Sequence, residues 1–191
     1  MKKMNLFLTQ AAIVAGLFFA VSCCDDDEVI LAVGVPYQGG VVAYLDATGE
    51  HGLIAMPVDG FIPGSTVTTF MHSRPDIYTG ATYTAYGKGQ DNTLQIVAVM
   101  NEYSVTEPYA AKLCKDFDFA GYRDWFLPSK DELNKLYENR ALIGGFSNEI
   151  YWSSSESADD SENAWAQSFS NGVQSEDNKG SAHRARAVRG F

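Results

Sequence analysis

The 191-residue chain is poor in the side chains that do covalent and metal chemistry, with three cysteines and three histidines. Cys23 and Cys24 are adjacent near the N-terminus, which leaves Cys114 alone in the body of the chain. No disulfide framework is expected from such a set, with a Cys24–Cys114 bridge as the alternative, and Cys114 reads as a small buried apolar residue. His51, His72 and His183 are scattered, and neither His-Glu-x-x-His nor Cys-x-x-Cys occurs. No metal and no cofactor is therefore expected. The Gly-x-Ser-x-Gly elbow of a serine hydrolase is missing as well. Positive charge is scarce, with 14 Lys and Arg against 24 Asp and Glu and a net charge of -10. Neutralising phosphates requires a basic surface, so no nucleic-acid partner is expected. Only His183 to Arg189, with Arg184, Arg186 and Arg189 and no acid, concentrates positive charge.

There is one long apolar run, Leu6 to Val21, and it is interrupted by Thr9, Gln10 and Gly16. With Lys2 and Lys3 ahead of it, it reads as a secretory signal, too short to span a bilayer. The run ends in Ala20-Val21-Ser22-Cys23-Cys24, followed at once by Asp25-Asp26-Asp27-Glu28. Small residues before a cysteine resemble a bacterial lipobox, in which the cysteine is acylated and becomes the mature N-terminus. Cys23 fits better than Cys24, because the residue before it, Ser22, is small. Ala20 departs from the leucine usual in such boxes, and simple cleavage near Ser22 with release is the alternative. The acidic run resembles the surface-export signal of Bacteroidetes-type lipoproteins. The expected address is the outer membrane or cell surface, with the membrane engaged through an N-terminal lipid, each buried methylene contributing about 0.8 kcal/mol. Losing residues 1–22 removes Lys2 and Lys3 and no acid, which takes the net charge from -10 to -12.

The expected organisation is a signal peptide over residues 1–22, an acylated and acidic tether over 23–36, and one domain over 37–191. Val41 to Leu45 and Leu53 to Met56 flank the turn residues Asp46 to Gly52 and predict a hairpin. Pro57 to Gln90 lacks periodicity but carries Phe61, Phe70, Tyr78, Tyr83 and Tyr86, which predicts a long ordered loop of the kind that often has a function. Asn92 to Met100 predicts a helix with Leu94, Val97 and Ala98 on its inner face. Pro108 to Phe117 predicts a second, with Ala110, Leu113 and Cys114 inside. Ser129 and Glu132 form a capping box for a third helix, carried by Leu133, Leu136, Tyr137 and Ala141 and stopped by Gly144-Gly145. Tyr151 to Ser155, Ala164 to Phe169 and Ala182 to Val188 predict strands, with turns at Ser170-Asn171-Gly172 and Asn178-Lys179-Gly180. The fold class is α+β, with antiparallel strands, two to three helices and long loops.

Gly121-Tyr122-Arg123-Asp124-Trp125-Phe126-Leu127-Pro128-Ser129, leading into Asp131-Glu132-Leu133, resembles the signature of the Lcl C-terminal domain family, named for collagen-like bacterial surface adhesins. Further family marks are Tyr151-Trp152-Ser153-Ser154-Ser155-Glu156, Ala164-Trp165 with Gln167 and Phe169, Gly172, and Arg186 to Phe191. Gly39 to Tyr44, Gly52 to Ala55, Gly87-Lys88-Gly89 and Asn92-Thr93 also fit. The resemblance implies a scaffold similar to C-type lectin-like and formylglycine-generating-enzyme folds, on which long loops bind ligands. The oxidase activity of the latter needs late cysteines, and residues 115–191 contain none. Fold likeness alone does not fix function.

The remaining chemistry is that of binding. Ser153, Ser154 and Ser155 beside Trp152 read as hydrogen-bonded structure, not as nucleophiles, and no pair of carboxylates stands out for glycoside hydrolysis. Trp125, Trp152 and Trp165 read as core packing, with stacking on sugar rings as the alternative. Candidate ligand contacts lie on the late loops: Asp159, Asp160, Glu162, Asn163, Asn171, Gln174, Asn178 and Lys179. Asp159, Asp160 and Glu162 read as a solvated acidic loop, with calcium as the alternative. Arg184 and Arg186 share strand parity, and either grip an anionic sugar or sulfate or pair with nearby acids. The expected function is a non-enzymatic, surface-anchored lipoprotein presenting a lectin-like adhesion domain for a glycan or other surface ligand. The alternatives are a structural or assembly component of a surface appendage and a diversity-generating display protein.

Overall fold

A computed structural model describes residues 30–59, 67–71 and 74–191. The signal run, Cys23, Cys24 and the acidic stretch, together with Phe61 and His72, lie outside the described residues. The N-terminal hairpin forms as its pattern requires. β2 (Gly40–Leu45) and β3 (Gly52–Ala55) pair antiparallel. Asp46 holds the turn, its Oδ1 accepting from Thr48 N at 2.9 Å and Gly49 N at 3.0 Å. The two-residue β1 (Pro36–Tyr37) and the last strand, β9 (Val188–Gly190), complete a sheet of order β1-β2-β3-β9, so the two ends of the domain share one sheet. β4 (Thr68–Thr69) pairs with β8 (Ala182–His183), and β5 (Ile150–Glu156), β6 (Asn163–Ser168) and β7 (Gln174–Asn178) make an antiparallel meander.

Between the sheets lie α1 (Gly89–Glu102), α2 (Ala110–Lys115), α3 (Lys130–Glu138) and the single turn α4 (Arg140–Ile143). The capping box of α3 is formed in both directions, with Ser129 Oγ accepting from Glu132 N and Glu132 Oε2 accepting from Ser129 N. The single helix expected through Ala141 is two: it breaks at Asn139, whose amide donates to Ala43 O at 3.0 Å. The mixed helical and antiparallel fold class holds at this level.

Three expectations are corrected. On α1, Leu94 is 46% exposed and Ala98 faces solvent, whereas Asn92, Thr93, Ile96 and Met100 are buried. Polar burial produced the error: Thr93 Oγ1 accepts from Leu127 N at 3.0 Å and donates to Leu127 O at 3.2 Å, an anchor that hydrophobic periodicity does not register. The run Ala182 to Val188 is split between β8 and β9, because each pairs with a different sheet. β7 was not anticipated; Gln-Ser-Glu-Asp-Asn is a polar edge strand with no apolar alternation to reveal it.

Two buried clusters fill the interior. One gathers Trp125, Trp152, Ile96, Met100, Tyr109 and Phe70, with Cys114 among them. The other gathers Leu133, Leu136, Phe126, Tyr151 and Phe169. Burial pushes the Cys114 thiol well above its ordinary pKa.

Candidate functional site

The long loop before α1 is fastened from inside. Glu156, at the end of β5, is fully buried, and its Oε2 accepts from Thr79 N at 2.9 Å and Gly80 N at 3.0 Å. Lys179, equally buried, donates from Nζ to Glu156 Oε1 at 2.5 Å and to Ile77 O at 2.9 Å. Desolvation pulls the lysine pKa down, against the carboxylate that supports its charge. A charge pair this deep is strongly held once formed, because either partner alone would be an uncompensated buried charge.

A second set of bonds places residues 83–89. Ser155 Oγ donates to Tyr83 O at 2.7 Å, Ser129 Oγ to Ala85 O at 2.9 Å, and Asp131 N to Thr84 O at 3.0 Å. Glu132, besides capping α3, accepts from Gly87 N at 2.9 Å and Gly89 N at 3.2 Å. Burial raises its pKa, although the backbone donors act in the opposite sense. Gly89 has to be glycine here: a Cβ would stand 2.2 Å from Glu132 Oε2 and 2.7 Å from Ser129 N.

These two fastenings frame a groove of about 380 Å³ at the first turns of α1, lined by Gly80, Ala81, Tyr83, Lys88, Asp91, Asn92 and Gln95. Tyr83 is 60% exposed. Lys88 Nζ lies 5.5 Å from the centre of that ring and 2.8 Å from Asp91 Oδ2. Gln95 Nε2 donates to Thr79 O at 2.9 Å, closing the groove over the loop. Asn92 forms its floor. Its side chain is fully buried, and Nδ2 donates to Tyr83 O at 2.6 Å, yet Oδ1 has no partner. The bond to Tyr83 O fixes the amide, since exchanging nitrogen and oxygen would set two acceptors against each other.

The residues expected to touch ligand fall into two groups at opposite ends of the β6–β7 ladder, with Asp160, Glu162, Asn163, Asn178 and Lys179 at one, where Lys179 N donates to Glu162 O at 2.8 Å, and Asn171 and Gln174 at the other. Asn163 pairs with Asn178 at one end of the β6–β7 ladder and Gln167 with Gln174 at the other, which separates Asn178 from Gln174 and from the Asn171 turn. Asp160 accepts from Glu162 N and the Asn163 amide, each at 3.0 Å, and the Ser157 hydroxyl accepts from Asp159 N and Asp160 N. Asn171 Oδ1 accepts from Val173 N, and Asn178 Oδ1 from Gly180 N. Gln174 Nε2 donates to Lys130 O at 2.8 Å. Among the described residues, no group of three His, Cys, Asp or Glu side chains is placed to hold a metal ion.

Lys179 and Arg186 are corrections, since both are withdrawn from solvent. Arg186 donates Nε to Asp59 Oδ1, Nη1 to Met56 O and Nη2 to Gly145 O, each at 2.6 Å, and its guanidinium lies 3.9 Å from the centre of the Phe146 ring. Arg184 is partly exposed and approaches the same Asp59 at 3.5 Å. Trp125 and Trp152 are buried, and Trp165 lies under Lys130 Nζ, 3.2 Å from its ring centre. The hydroxyls of Ser153 and Ser155 bond to Trp165 O and Tyr83 O. Tyr83, Lys88, Asp91, Asn92 and Gln95 were not singled out as ligand contacts. The signal that marks them is the aromatic, aperiodic loop running straight into Asn92-Thr93.

Comparison with known proteins is sparse: no curated protein matches the chain. Among solved structures, the crystal structure of a fimbrial protein from Bacteroides ovatus ATCC 8483 is similar, with a TM-score of 0.54 and 16% identity. The match covers 82% of this chain and 45% of that one, so this chain spans under half its length and the likeness concerns the fold. The family model described as the Lcl C-terminal domain matches residues 72–189, well over half of the sequence. The chain belongs to the Lcl C-terminal domain family.

Proposed function

We propose that this chain is a surface-anchored lipoprotein whose Lcl C-terminal domain serves adhesion, binding a glycan or another surface ligand without catalysis. The observation that carries the reading is the groove at α1, a concave polar site with the exposed Tyr83 and the Lys88–Asp91 pair at its rim. Loops held on a rigid scaffold are where binding groups usually sit. Family membership and the lipobox-like N-terminus support a surface address. The test is binding of the full chain, purified in a mild detergent, to a glycan array and to sulfated polysaccharides. Binding to a defined glycan is expected, and silence across both panels would overturn the reading. The anchor is tested separately by incorporation of a palmitate analogue, which should be lost in Cys23→Ala; label persisting in that variant would move acylation elsewhere.

A second reading, a structural component of a surface appendage, is favoured by the fold shared with a fimbrial protein. It predicts stoichiometric partners co-purifying after mild crosslinking of intact cells, whereas the adhesion reading predicts a free domain.

A further inference from the structure

We propose that the outer edge of β7 docks an extended, basic segment of a partner protein, which adds a strand to the β5-β6-β7 meander. This partner site is additional to the adhesion reading and independent of it.

The register of the meander decides which backbone groups are free. β6 and β7 pair without interruption from Asn163 opposite Asn178 to Gln167 opposite Gln174. At the two ends of that ladder, Lys179 N donates to Glu162 O at 2.8 Å and Ser168 N donates to Val173 O at 2.9 Å. Bonded and non-bonded residues alternate along an antiparallel pair, so Ser175 and Asp177 turn their N–H and C=O groups toward β6, and Gln174, Glu176 and Asn178 turn theirs away. No strand lies on that far side, because β7 ends the sheet order. Asn178 is satisfied locally, its N donating to Asp177 Oδ1 at 2.7 Å and its O accepting from Ser181 N at 2.8 Å. The N–H and C=O groups of Gln174 and Glu176 remain, at the two-residue repeat of a strand and without a partner among the described residues.

Most of the devices that keep other chains off a sheet edge are missing here. Such edges are usually blunted by a proline, a lysine, a bulge or a covering element. β7 runs five residues without a proline, and its register with β6 has no bulge. Lys179, next along the chain, carries its ammonium inward to Glu156. Ser175, Glu176 and Asn178 are exposed.

Charge selects the occupant. Asp177 is matched by His183 at 2.7 Å, but Glu176 and the exposed Asp159, Asp160 and Glu162 form no ion pair among the described residues. The pairing of Asn163 with Asn178 sets the loop that carries those three acids beside the far end of β7. A second copy of this chain, with its net charge of -10, would bring the same acids alongside and be repelled. A strand with lysine or arginine at alternate positions places one cation across from Glu176, the favourable cross-strand arrangement, and the next toward the loop acids. Backbone bonds then supply the affinity and the alternating cations the choice of partner.

The test adds a short capped peptide alternating lysine with threonine to the full chain in mild detergent and follows amide hydrogen exchange residue by residue. Exchange at Gln174 and Glu176 should slow about tenfold or more at saturating peptide, while Ser175 and Asp177, already bonded to β6, change little. Affinity should fall about threefold or more from about 0.05 to 0.5 M NaCl. Glu176→Pro removes one outward N–H and one acid while keeping the bonds to β6, so it should abolish the protection at Gln174 without lowering the melting temperature. Unprotected Gln174 and Glu176 amides overturn the inference. So does equal binding of a backbone N-methylated peptide of the same charge, which would make the contact electrostatic only, or of a peptide with glutamate in place of lysine. Protection that appears without peptide and grows with protein concentration would seat a second copy on the edge and overturn the choice of partner. Glycan binding is read separately, so either reading can fail while the other stands.

Discussion

Lys179 and Glu156 meet 2.5 Å apart with no solvent at either side chain, tying the turn after β7 to the end of β5. Through Glu156 Oε2 the pair also holds the backbone of Thr79 and Gly80, 77 and 76 residues earlier in the chain. Lys179→Met leaves a buried carboxylate without its cation and is expected to lower unfolding stability by about 3–5 kcal/mol. The double variant Lys179→Met with Glu156→Gln keeps an acceptor for both amides and should recover part of that loss. Urea denaturation of the three proteins checks it; a single variant as stable as the parent would remove the pair from the account of the loop.

Asp124, in the central family motif, clamps Arg189 of β9 through two bonds of 2.9 Å, Nε to Oδ1 and Nη2 to Oδ2. The guanidinium holds the carboxyl below its ordinary pKa of 3.8, with partial desolvation acting in the other direction. The folded state therefore binds this proton less readily than the unfolded state. The contribution is present above the ordinary carboxylate pKa and is lost as pH falls through the lowered folded value. Asp124 is about half exposed, so the effect is small, below about 1 kcal/mol. Urea midpoints measured from neutral to strongly acid pH should show Asp124→Asn less stable than the parent at neutrality and indistinguishable from it at the acid end. A constant gap across pH would contradict the clamp's titration.

Gly89 opens α1 against the capping box of α3, and a methyl there collides with Glu132 Oε2 and two backbone atoms, Ser129 N and Leu127 O. Gly89→Ala is expected to destabilise by about 1–3 kcal/mol despite alanine's better helix propensity. It should also shift the amide resonances of Gly87 and of Asn92, which share the displaced turn. A more stable Gly89→Ala protein would mean that the two helices have room to separate.

Cys114 is buried against α1 and the aromatic cluster, with its thiol pKa raised by desolvation. The thiolate is the reactive form, so alkylation of Cys114 in the native protein should be slow and should accelerate on unfolding. Peptide mapping after timed iodoacetamide treatment, with and without urea, reads this directly. Labelling at equal rates in both states would place the thiol at the surface.

Local chemistry made much of this fold legible. The Asp46 turn, the Ser129–Glu132 capping box and the strands around Trp152 and Trp165 rest on signals carried by neighbouring residues, and they lie where those signals put them. The inner face of α1 was not legible, because it is specified by Thr93 and Asn92 bonding to distant backbone. For the site, the sequence marked the long aromatic loop as a place for function and then favoured the charged late loops. Charge does not disclose burial: Lys179 and Arg186 carry their charges inward, to Glu156 and Asp59, partners that lie far off in the sequence.

The two-residue β1 at the edge of the first sheet has a mechanical consequence. Tension on the chain ahead of Leu31 reaches the fold at the open end of the β1–β2 hairpin, where Gly34 N bonds Val42 O at 2.8 Å and Val42 N bonds Val35 O at 2.9 Å. Pulled from that end, these bonds fail one after another instead of sharing the load, so the hairpin peels. Single-molecule stretching from the N-terminus should show a short, low-force extension before the main rupture. Stretched from that end, the first strand would act as a shock absorber, lengthening by a few residues while β5 and the loop it fastens stay intact.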